Sequence, residues 1–286
     1  MSGGAWTRER ILALGFVLPA LAWTLVFFVA PFGFMVAMSL WRRAGAELVR
    51  DWSLVNYLGF LARPHFVEGL LNSIEIAAIV TAASVALAYP LAWFIAARVP
   101  AGWQRIALAL AIVPFWTSYV VRSYAWTLVL SNKGVVNEWL TSAGLISEPL
   151  QLSSTRFATV TGFVHFFVML STLTIFANLK QLSPNYARAA ADLGAGGFQT
   201  FRLVVLPLTL PGIMVGGFLS FALCLGDYIT PQILGGNNEL VLPQIIMLQL
   251  GRRADFPMAS ALSIILMLTV TLAYLACARW LKLERA

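Results

Sequence analysis

Long stretches without Asp, Glu, Lys or Arg constrain this chain more than any other feature. Residues 11–41 carry none of these. Residues 76–97 form a second such run. Its helix is expected to begin earlier, near Gly69, and to take in Glu75. Residues 106–132 are interrupted only by Arg122, Lys133 lies just beyond them, and residues 157–179, 203–226 and 256–278 complete the set. About 20 mostly apolar residues suffice for a helix to cross a bilayer. Hydrophobic residues make up 60% of the 286 and charged residues 11%, against roughly 45–50% and 25% in a soluble domain. One water-soluble core cannot bury so much apolar surface. The expected fold is an all-α membrane protein with six transmembrane helices, over about 11–41, 69–97, 106–132, 157–179, 203–226 and 256–280. The uncharged segment 240–251 is only long enough for a re-entrant or interfacial piece.

The first run is too long for a signal-peptide core and reads as a retained span. Six spans place both termini on one side. With the ends inside, ten Lys and Arg fall in inner segments and eight in outer loops, which favours cytoplasmic termini. Seven acids, Glu47, Asp51, Glu68, Glu138, Glu148, Glu239 and Asp255, fall in the expected outer loops. No span alternates polar and apolar residues, which excludes a β-barrel. The formal charge of +7 is scattered between spans. It reads as topology-setting charge facing membrane lipid, not as a nucleic-acid surface. Cys224 and Cys277 sit in apolar runs as small hydrophobes. Prolines 19, 31, 90, 114, 207 and 211 fall in or beside spans. Bent helices of this kind suit a transporter.

The segment between the fourth and fifth spans is too polar to cross a membrane. It reads Gln181-Leu-Ser-Pro-Asn-Tyr-Ala-Arg-Ala-Ala-Ala-Asp-Leu-Gly-Ala-Gly-Gly197. Ser183 is a good N-cap, Pro184 a good first helical residue, and Gly194 a stop. A short helix within 183–197 therefore leads into Leu206-Pro207 and span five. The spacing of Ala189-Ala190, Gly194, Val204 and Leu206-Pro207 resembles the EAA loop of bacterial ABC-importer permeases. The family's glutamate position holds Arg188. Tyr89-Pro-Leu-Ala-Trp-Phe-Ile-Ala96, Val113-Pro-Phe-Trp-Thr-Ser-Tyr-Val-Val-Arg-Ser-Tyr-Ala-Trp126 and Gly226-Asp-Tyr-Ile-Thr-Pro-Gln-Ile-Leu-Gly-Gly236 resemble the spermidine/putrescine type.

That resemblance implies the type I importer permease fold in a bacterial inner membrane. It implies a second permease subunit or a second copy, two copies of a cytoplasmic ABC ATPase, and an extracytoplasmic substrate-binding protein. The coupling residues would be Arg188, Ala189, Ala190, Asp192 and Gly194. The cargo would be a polyamine or related amine, with an opine or organic acid as the alternative. No Gly-x-x-x-x-Gly-Lys-Ser/Thr occurs in the chain, so no P-loop of its own holds ATP. ATP and magnesium would belong to the partner ATPase, and no cofactor to this chain.

Candidate path residues are Asp227, Tyr228, Glu75, Arg122, Trp116 and Tyr119. An acid beside a tyrosine can hold an ammonium by charge and ring face. Asp227 after Gly226 is equally a turn residue. Arg122 inside a span costs about 2.5–3.5 kcal/mol on insertion scales. It is expected to face protein or water, with a structural partner favoured because a fixed cation repels a cationic cargo. Glu75 reads as an interfacial acid, a path residue, or Arg122's partner. Trp116, Tyr119 and Trp126 line the path or form an interfacial belt, the belt being the default. No Ser-His-Asp or Cys-His set is legible, and His65 and His165 have no metal-ligand spacing, which argues against a membrane enzyme and a metal site. A secondary transporter would leave the coupling loop unexplained.

Overall fold

The computed structural model describes residues 15–45, 47–236 and 239–281. Residues 11–14 of the expected first span, and Arg8, Arg10, Lys282 and Arg285, lie outside the described residues. Among the described residues the regular elements are helices, apart from one hairpin. Of these helices, again among the described residues, five are long and apolar enough to span a membrane: α1 (Gly15–Ser39), α3 (Pro64–Arg98), α7 (Arg156–Gln181), α9 (Gly197–Gly226) and α12 (Phe256–Leu281). Shorter helices are α2 (Val55–Ala62), α4 (Gln104–Ile112), α5 (Tyr119–Val129), α6 (Val135–Ser142), α8 (Pro184–Asp192), α10 (Ile229–Leu234) and α11 (Leu242–Gly251). A π turn occupies Leu25–Val29 in α1 and another Phe201–Val205 in α9, one residue before Leu206-Pro207.

The third expected span, 106–132, is not one straight helix. Two pieces, Gln104–Trp116 and Tyr119–Val129, meet at a bend of 86°. A 3₁₀ turn over Val113–Trp116 ends α4, and Thr117 and Ser118 then take extended ψ values of 145° and 130°. Pro114 has no amide to donate, and Ser118 restarts the chain as the N-cap of α5. The second span begins earlier than expected, at Pro64. Two loops also carry structure that the apolar-run reading did not predict. Arg42–Ala44 pairs with Glu47–Val49 as an antiparallel hairpin, with Arg42 opposite Val49. Residues 135–142 form α6.

The described residues divide into two compact units, those up to 63 with 248–265, and 64–247 with those from 266 onward. In the first, Asn56 closes the end of α1. Its Nδ2 donates to the Ser39 and Trp41 carbonyls at 2.8 and 2.7 Å. The Ser39 carbonyl is one that the helix C-terminus leaves without a partner.

The second unit is built on α3, α7 and α9, packed against one another. Ile76, Ala77, Val80, Phe163, Phe167, Cys224 and Leu225 form its main apolar cluster. Apolar burial alone gives little drive between helices in lipid, so close approach and interhelical hydrogen bonds matter. Gly216 supplies the approach: a Cβ there would collide with Thr174 Oγ1. Ser171 and Ser220 share a buried hydrogen bond of 3.2 Å, and Tyr89 and Thr209 another of 3.0 Å. One end of this unit holds the ends of α3 and α7 and the start of α9. The opposite end holds the start of α7 and the end of α9.

Candidate functional site

At the far end of α9, Asp227 leaves the helix in extended conformation. Its Oδ1 accepts the Ile229 amide at 2.8 Å, the turn role that its sequence context allows. Its Oδ2 accepts a hydrogen bond from the Tyr119 hydroxyl, which also contacts Thr230 Oγ1. Tyr119 lies in the first turn of α5, so the break in the third span delivers this phenol to the end of α9. The helix start Ile229–Leu234 brings Thr230 to the same place.

One turn further along α5, Arg122 is 6% exposed. Its guanidinium lies 4.9 Å from the Phe166 ring and 5.5 Å from the Tyr119 ring. Its Nη1 donates to the Pro114 carbonyl at 2.9 Å. Its partners are therefore a carbonyl and two ring faces. Another turn on, Trp126 Nε1 donates to His165 Nδ1 at 3.0 Å.

The six candidate path residues do not form one constellation. Tyr119, Asp227 and Arg122 are brought together. Tyr228 is exposed beside Asp227, with its ring turned to no other aromatic group among the described contacts. Trp116 is 82% exposed. Glu75 is not the partner of Arg122: it pairs with Arg156 at 2.7 Å, and Glu239 approaches the same guanidinium at 3.7 Å. Arg156 opens α7, where a cation is disfavoured by the helix dipole, and the two acids offset that placement. The apolar-run reading put Glu75 and Arg156 on different elements with no signal joining them. Thr230 and Phe166 were equally illegible, because nothing local marks a residue whose partner is more than 40 positions away.

At the opposite end, Ser183 Oγ accepts the Asn185 amide at 3.3 Å and starts α8. Its C-terminus closes with Gly194 N to Ala191 O at 2.9 Å and Ala195 N to Ala190 O at 3.0 Å, a Schellman pattern. Gly194 has φ +84°, and a Cβ there would meet nothing within 4 Å. Its requirement for glycine is therefore conformational, not one of space within this chain. Arg188, Ala189 and Asp192 are exposed, whereas Ala190 is buried against its own chain. Leu193, 89% exposed, crowns the loop with an unburied apolar side chain.

Over 257 residues, 90% of this chain and 93% of the relative, the sequence is 32% identical to the spermidine/putrescine transport system permease protein PotB of Escherichia coli (strain K12). The chain belongs to the spermidine/putrescine-type family of ABC-importer permeases. This permease is also 36% identical over 230 residues, 76% of its length and 72% of the relative's, to the inner membrane ABC transporter permease protein YdcU of the same organism. Among solved structures, a bacterial ABC transporter involved in the import of the acidic polysaccharide alginate shares the fold. The TM-score is 0.78 at 18% identity, over 96% of this chain and 98% of that one. No protein-family model matches the sequence. The permease is thus a membrane-spanning transport subunit and not an enzyme. In its family, ATP hydrolysis belongs to a separate subunit.

Proposed function

We propose that this permease lines half of the translocation path for a small organic cation of the polyamine kind. A second permease subunit or a second copy lines the other half. Two cytoplasmic ATPases carry ATP and magnesium and dock on the 183–197 loop. An extracytoplasmic binding protein delivers the cargo, and both termini of the permease lie in the cytoplasm. Arg188, Ala189 and Asp192 face the ATPase. Gly194 and Ala190 shape the loop from within.

The observation that carries the cargo reading is the Asp227 carboxylate, partly exposed at the far end of α9 and met by the Tyr119 hydroxyl. An ammonium can take the place of that hydroxyl and gain a charge-assisted bond, stronger than the neutral one it displaces. The relatives named for spermidine and putrescine support the same class. Arg122 is spent on a backbone carbonyl and two rings, which removes it as the receptor of an anionic cargo in this conformation. The test is uptake into vesicles carrying the complete transporter. Polyamine uptake that Asp227→Asn depresses, with binding-protein affinity unchanged, is the expected result. Uptake of a carboxylate-bearing solute alone, abolished by Arg122→Gln, would overturn the cation reading.

A further inference from the structure

Arg122 joins the two halves of the broken third span. The Pro114 carbonyl, in the turn that ends α4, takes three donors: the Thr117 amide at 3.3 Å, the Thr117 hydroxyl at 2.7 Å, and Arg122 Nη1 at 2.9 Å from within α5. Phe115, from the same turn, stacks on Phe166 of α7 at 4.9 Å and 20°. Phe166 is the ring on which the guanidinium also rests. One carbonyl and one ring therefore fasten both sides of the break.

This contact belongs to the bent form. In a straight helix residues 114 and 122 would stand about 12 Å apart along the axis, and the Ser118 amide would occupy the Pro114 carbonyl. An interaction available in only one conformation biases the equilibrium toward that conformation. Among the described residues Arg122 forms no ion pair with a carboxylate. Its Nη2 is sealed from solvent without a hydrogen-bond partner, so it has no open face to offer a passing solute. The side chain is placed to hold the backbone.

We propose that Arg122 is the positioning residue that keeps the third span bent and thereby, through Tyr119, sets where the Asp227 carboxylate stands. The second clause rests on the cation-path reading above; the first does not. The test places spin labels on either side of the break, at Leu110→Cys and Leu128→Cys, both strongly exposed. The native thiols are removed as Cys224→Ala and Cys277→Ala, and the distance is measured in the complete transporter in lipid. Eighteen residues of straight helix would separate the labels by about 27 Å, and a near right-angle bend shortens this by about 8 Å.

The parent protein is expected to give the short distance alone. Arg122→Gln is expected to add a population longer by about 8 Å. Arg122→Lys, which keeps a donor but loses the flat face, is expected to fall between. A short distance unchanged in Arg122→Gln overturns the proposal. Glutamine is cheaper than arginine to insert in lipid; if the variant nonetheless fails to accumulate, Arg122→Lys and Phe166→Leu carry the same measurement with the same two outcomes. Asp227→Asn separates the two readings: it should lower uptake while leaving the label distance at the parent value. Uptake unaffected by Asp227→Asn sinks the cation path and leaves the hinge standing.

Discussion

The hydroxyl of Tyr119 donates to the carboxylate of Asp227 across 108 positions of sequence. One residue opens the second half of a broken span and the other ends the fifth. Their meeting leaves a partly exposed turn carboxylate whose one oxygen accepts a backbone amide and whose other accepts a neutral hydroxyl.

If an ammonium displaces that donor, the two partners contribute unequally. Removing the charge of Asp227 should cost a charge-assisted hydrogen bond, about 1.5–3 kcal/mol, or roughly ten- to a hundredfold in uptake. Tyr119→Phe removes only a neutral donor and should change uptake by less than about tenfold, through KM. Concentration-dependent uptake in the complete transporter distinguishes them. Equal losses in the two variants would assign both residues to shape alone.

Gly194 closes α8 at φ +84°. Gly194→Ala should destabilise that cap by about 1–2 kcal/mol and quicken amide exchange across 183–197, with membrane insertion unchanged. Gly194→Trp adds bulk on the exposed side of the loop and should abolish ATP-driven uptake at normal expression. Normal uptake by the tryptophan variant would remove this loop from energy coupling.

Arg188 stands exposed where the family places an acid. If it meets an acidic patch on its ATPase, Arg188→Glu should weaken co-purification of the complex, and reversal of one ATPase charge should restore it. Unchanged co-purification would mean that α8 docks through shape and apolar contact, for which Leu193 is the available side chain.

Gly216 lets α9 approach α7 at Thr174. Gly216→Val should overpack that contact by about 1–3 kcal/mol and lower the thermal midpoint of the purified subunit. Thr174→Ala in the same chain should recover part of the loss. An unchanged midpoint would show that the two helices separate at no cost.

The spans were legible because a bilayer imposes one simple demand, about 20 residues without charge. The spans expected at 157–179, 203–226 and 256–280 coincide with helices to within a few residues, except that α9 starts earlier as the polar loop feeds into it. The short helix α8 was legible for a related reason. Ser183, Pro184 and Gly194 act on backbone groups a few residues away, so cap chemistry is written locally. The break at Pro114 was not legible from composition, because both halves are as apolar as an unbroken span. Proline permits a bend without setting its angle.

By itself, then, the sequence determined a multi-span helical membrane protein, its class of transporter, and the short capped helix between the fourth and fifth spans. Tertiary structure alone decided which candidates meet. It gave Glu75 to Arg156 instead of Arg122, gave Arg122 to a carbonyl and the Phe166 ring, and gave Tyr119 to Asp227. Periodicity, capping and hydropathy are properties of neighbouring residues. Pairings across 81, 44 and 108 positions depend on the angle at which helices cross and on where a span breaks. Those are set by packing among several elements at once.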